Sequence, residues 1–88
     1  MEVIVSDKVV SQLNRFKNLS EYDIEDFVQE EIESEDYQDF LNNCNSSICN
    51  EFYDRENNVT IFSEVDFDRK RITVTGIRRG NLVGKDFI

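Results

Sequence analysis

From residue 18 to residue 54 the chain carries twelve carboxylates and not one lysine or arginine. Apolar residues nevertheless recur inside this block, at Ile24, Phe27, Val28 and Ile32. That spacing is the period of an α-helix with one face turned to a core, and it leaves the acids on the rest of the cylinder. Ser20 followed three residues later by Asp23 has the form of a capping box, which sets the start of the helix. Ten of the twelve acids fall between Glu21 and Asp39. Glu21 and Glu25, Asp26 and Glu30, Glu31 and Glu35, and Glu35 and Asp39 are like-charge pairs at i, i+4, each costing about 0.2–0.5 kcal/mol in a helix.

Ser34 is a second candidate cap. Beyond it Tyr37, Phe40, Leu41 and Cys44 share a face, so the acidic stretch reads either as one long helix or as two. The run Asn42 to Ser47 competes with helical hydrogen bonds and ends the element. Ile48, Cys49, Phe52 and Tyr53 then read as a short apolar connector.

The flanks follow other rules. Residues 2–5 form a short strand, and Ser6 caps a helix carrying Val9, Val10, Leu13 and Phe16. From Val59 the period becomes two. Val59, Ile61, Val65 and Phe67 share one parity, Asp68-Arg69-Lys70 interrupts, and Ile72-Thr73-Val74-Thr75 resumes, so residues 59–77 read as a β-hairpin with a polar turn. The expected fold is α+β: two or three helices packed on a small, mostly antiparallel sheet that ends in this C-terminal hairpin. The predicted core is Val9, Leu13, Phe16, Ile24, Phe27, Val28, Ile61, Val65, Ile72 and Val74, with Phe27 as an anchor whose truncation costs on the order of 3–5 kcal/mol.

Eighty-eight residues with no proline-rich linker or repeat make a single domain, 1–88, with a modest core and little room for an enclosed active site. Val3-Ile4-Val5 is far short of a secretory signal, and no segment approaches the roughly twenty apolar residues of a membrane span. A cytoplasmic location in a host cell is therefore expected, with no membrane contact. Without histidine, and with only two cysteines, a histidine-based catalytic constellation cannot be assembled and a tetrahedral zinc site would lack at least two ligands of the usual types, so no metal or cofactor is expected. Cys44 and Cys49 read as reduced, partly buried residues at a helix edge, with a local disulfide between them as the alternative.

Charge is sorted along the chain: net +1 over residues 1–17, −12 over 18–54 and +2 over 55–88. A nineteen-residue acidic helix would rise about 28 Å, with one carboxylate per about 3 Å. Duplex DNA carries about one charge per 1.7 Å of axis, so the helical face lies within a factor of about two of a nucleic acid. Glu25, Asp26, Glu30, Glu33, Asp36 and Asp39 are the candidate contacts with a partner. In size, charge and the acidic segment Glu21–Asp54, the chain resembles the small phage proteins that disarm bacterial defences by nucleic-acid mimicry, including anti-CRISPR and anti-restriction inhibitors. That resemblance implies a non-enzymatic inhibitor of a basic nucleic-acid-binding protein, such as a CRISPR effector or a restriction enzyme, with no direct contact to nucleic acid.

The order of elements is also similar to that of RelE-like and MqsR-like ribonuclease toxins, active or degenerate. This second resemblance implies that Arg78 and Arg79 stabilise phosphate charge, with Lys85 or Tyr53 assisting proton transfer. The acidic block opposes it, because RNA approaches a basic face.

Overall fold

The computed structural model describes residues 2–42 and 48–83. Within them the order is β1 (Glu2–Val5), α1 (Asp7–Gln12), a 3-10 turn (Leu13–Arg15), α2 (Glu21–Ile32), α3 (Glu35–Asn42), β2 (Ile48–Asp54), β3 (Val59–Asp66) and β4 (Arg71–Arg79). The strands form one sheet in the order β1-β4-β3-β2. β2, β3 and β4 are antiparallel neighbours, and β1 runs parallel to β4, with Val3 opposite Ile72 and Val5 opposite Val74. The fold is α+β, three helices on a mixed, mostly antiparallel sheet.

Local chemistry places the helix starts. Ser6 accepts a hydrogen bond from the Val9 amide and begins α1. At α2 the box closes in both directions: the Asp23 amide donates to the Ser20 hydroxyl at 3.2 Å, and the Ser20 amide donates to the Asp23 carboxylate at 2.8 Å. These bonds satisfy donors that a helix N-terminus otherwise leaves open. We expect Ser20→Ala to cost about 1 kcal/mol, seen in thermal melts as a drop of roughly 4–8 °C for a domain of this size.

The bond from the Ser20 backbone, followed by that from its hydroxyl, holds the Asp23 carboxyl below the ordinary aspartate pKa. A carboxylate favoured in the folded state stabilises the fold above its unfolded pKa and ceases to do so as pH falls through the folded value. The stability difference between wild type and Asp23→Asn should therefore hold at neutral pH and shrink below the ordinary aspartate range.

The acidic stretch forms two helices. The Ser34 hydroxyl donates to the Glu31 carbonyl at 2.8 Å, closing α2, and accepts from the Tyr37 amide at 3.3 Å, opening α3. The Gln38 side chain reaches back to the Ile32 carbonyl. The segment expected to be an apolar connector is instead the edge strand β2, where Phe52 faces Ile61 and Asp54 faces Val59. Polar residues hide its alternation: Asn50 donates to the Tyr37 hydroxyl at 2.9 Å, and buried Asp54 accepts from the Glu56 and Asn57 amides and from the Asn57 side chain to build the β2–β3 turn. Cys49 lies exposed on this strand rather than half-buried at a helix edge. Cys44 lies outside the described residues.

The core lies between the helices and one face of the sheet. Val9, Leu13, Leu19, Ile24, Val28 and Ile32 pack over Val5, Phe52, Val59, Ile61, Val65, Ile72, Val74 and Ile77. Phe16 and Phe27 only border it, half-buried. In β4 the inward parity changes between Val74 and Ile77, because Phe62 pairs with Gly76 while Ser63 pairs with Val74, which leaves Thr75 as the extra residue of a bulge. Gly80, at φ 88°, takes a left-handed conformation that suits glycine and ends β4, its amide donating to the Asn58 carbonyl at 2.8 Å.

Candidate partner-binding face

α2 rises about 18 Å over its twelve residues and α3 about 12 Å over its eight, at about 1.5 Å each. On α2 the core stripe is Ile24, Val28 and Ile32. Asp26, Glu30 and Glu33 stand at i, i+4 and i+7, on the side of the helix away from that stripe, and all three are exposed. Glu25 sits at the flank of the stripe and is half-buried, as is Phe27 on the other flank. Asp39 is exposed on α3; Asp36 belongs to the same helix, and its side chain lies outside the described residues. The six candidate carboxylates are therefore divided, four along α2 and its C-cap and two along α3, with Ser34 between them.

The electrostatics of the two helices are lopsided. Glu21 and Asp23 occupy the first turn of α2, where the helix dipole favours negative charge. Neither helix has a base in its last turn, and the C-cap of α2 is Glu33, whose carboxylate accepts from the Gln29 side chain at 2.9 Å. An acid at a helix C-terminus opposes the dipole. Two ion pairs, Arg69 with Asp66 and Arg71 with Glu2, lie outside the acidic block.

Of the residues singled out for phosphate chemistry, Arg78 and Arg79 end β4 and Tyr53 lies on β2. The Arg79 guanidinium donates to the Arg15 carbonyl at 2.7 Å and lies 4.7 Å over the Phe16 ring. The Tyr53 hydroxyl donates to the Asn58 side chain at 2.7 Å. Lys85 lies outside the described residues. What the sequence did not disclose is that Arg15 and Lys17 join Arg79 at one groove, because only the sheet brings residue 79 to the 3-10 turn. Among the described residues no three histidine, cysteine or acidic side chains come together to hold a metal ion, and no helix is long and apolar enough to cross a membrane.

Comparison with protein-family models, with curated proteins and with solved structures returned no match.

Proposed function

We propose that the protein is a non-enzymatic inhibitor whose acidic helical face occupies a basic, nucleic-acid-binding surface of a larger protein, such as a CRISPR effector or a restriction enzyme. The observation that carries this reading is the acidic block itself. Twelve carboxylates and no base span residues 18–54, and an apolar stripe secures α2 to the sheet so that Asp26, Glu30 and Glu33 are displayed on a rigid support. A preorganised negative surface draws a basic groove by long-range attraction and competes with the phosphates that would otherwise fill it. A soluble surface needs charge, but it does not need like charges at i, i+4, as at Glu21 and Glu25 and at Asp26 and Glu30 on α2.

The experiment is capture of partners from bacterial lysate on the immobilised protein, followed by competition with duplex DNA. The reading requires a basic nucleic-acid-binding partner that DNA displaces. Capture of partners that DNA does not displace would remove it. In the free protein, the same charge block predicts that moving from about 0.02 M to about 0.3 M salt raises the melting temperature, because the Debye length falls from about 21 Å to about 6 Å, close to the spacing between neighbouring turns. Salt should weaken the complex, chiefly through slower association. A melting temperature that falls with salt would show that the acids do not strain the free fold.

A further inference from the structure

We propose that the groove between the 3-10 turn and the β2–β3 turn binds a phosphomonoester of nucleotide size, with the phosphate at Arg15, Lys17 and Arg79. The groove has a volume of about 380 Å³, within the range of small-molecule sites. In a chain with nineteen acids and ten bases, three bases share this one groove, and none of the three forms an ion pair with a described residue. Arg79 is held in place by the Arg15 carbonyl and the Phe16 ring, which leaves its remaining N–H groups directed by geometry rather than by a counter-ion. A fixed guanidinium with two further cations beside it suits the dianion of a phosphomonoester better than a single carboxylate.

The rest of the groove indicates what the phosphate is attached to. Leu19 and Val59 line it and are buried, an apolar floor. Glu56 and Asn57 line it from the β2–β3 turn. One N–H of the Asn57 side-chain amide is taken by Asp54 at 2.8 Å, and the Asn57 side-chain oxygen and the Glu56 carboxylate are acceptors among the lining residues. Cations at one part of a small groove and acceptors at another match a ligand with a phosphate on a body that bears hydroxyl or amino donors, as in a nucleoside monophosphate. The net charge of −9 does not forbid this, since at 0.15 M salt charges beyond about 8 Å are largely screened. The proposal uses no residue of the acidic face, so it stands or falls apart from the inhibitor reading.

The test is an NMR titration of the full chain with AMP, adenosine and inorganic phosphate at constant ionic strength, with sulfate as the control anion. AMP should bind with a dissociation constant of about 1 mM or below, shifting amides of residues 15–19, 57 and 79, and adenosine and inorganic phosphate should each bind at least about tenfold more weakly. Lys17→Glu and, separately, Arg15→Glu, both at exposed side chains, should reduce AMP binding at least about tenfold while the remaining spectrum stays native. A short oligothymidylate with a 5′-phosphate, compared with the same strand ending in a 5′-hydroxyl, separates a nucleic-acid end from a free nucleotide as the source of the phosphate. AMP shifts no larger than those of sulfate, or unaltered AMP binding in both folded variants, would overturn the proposal, whereas AMP binding with equal binding of the two strands would support it with a free nucleotide as the ligand.

Discussion

Replacing Asp26, Glu30 and Glu33 together by lysine should leave the protein folded and weaken its hold on a basic partner by at least about 100-fold. The fold should survive because all three side chains are exposed and stand away from the Ile24, Val28 and Ile32 stripe. Stability should change little: positions 26 and 30 remain a like-charge pair, now of lysines, while the variant lowers the net negative charge of α2 and puts a cation at its C-cap, where the dipole favours one. The complex should fail because three attractions at a basic groove become repulsions, and like charges brought together at an interface cost several kcal/mol. Circular dichroism and a melting curve check the first half, and titration of the captured partner at moderate salt checks the second. Unchanged affinity in a folded variant would reduce the block to a solvated surface. Because the groove at Arg15 lies on other elements, AMP binding should be the same in the variant, which separates loss of the acidic face from general damage.

The helical half of this structure was legible because its signals are local. A serine with a carboxylate three residues later closes a capping box using only neighbouring atoms, and Ser34 stops one helix and starts another in the same way. The stripe of α2 and the β3–β4 hairpin were likewise readable, since each repeats the period of its element. β2 was not. Its inward positions include Asn50 and Asp54, whose burial makes sense only beside the Tyr37 hydroxyl and the turn amides they bond. Nor was the bulge at Thr75, which lets Ile72, Val74 and Ile77 share the inner face although simple alternation would separate Ile77 from the other two.

The same distinction divides the two candidate sites. The acidic face could be named from sequence because its residues are consecutive on helices. Even there Glu25 proved half-buried, and the choice that the sequence left open between one long helix and two is resolved as two, with the six carboxylates divided between them. The basic groove depends on a contact across sixty-four residues, from Arg79 to the Arg15 carbonyl, and no pattern within either segment announces it. A nearly balanced charge count at each end of the chain concealed three bases that the sheet gathers in one place.

Ile24→Ala should cost about 3–4 kcal/mol, while Phe27→Ala should cost only about 1–2 kcal/mol, the reverse of what side-chain size alone implies. Ile24 is fully buried in the core between α2 and the sheet. Removing its three outer carbons gives up their transfer energy and leaves a cavity that the close-packed sheet cannot fully close. Phe27 instead lies half-buried at the flank of the stripe. Part of its ring already meets water, so less transfer energy is lost, and water can occupy the vacated space in place of a void. The expectation from periodicity that Phe27 anchors the core is corrected by this geometry: two apolar residues adjacent in sequence are about 100° apart around a helix, and Val28, at 0% exposure, takes the central position. A domain of this size holds roughly 4–13 kcal/mol in total, so the Ile24 variant should be close to unfolding at 37 °C and the Phe27 variant well folded. Urea melts of both proteins, compared at equal slope, decide the matter, and a Phe27→Ala loss as large as that of Ile24→Ala would mean that α2 is rotated toward the sheet on its Phe27 side.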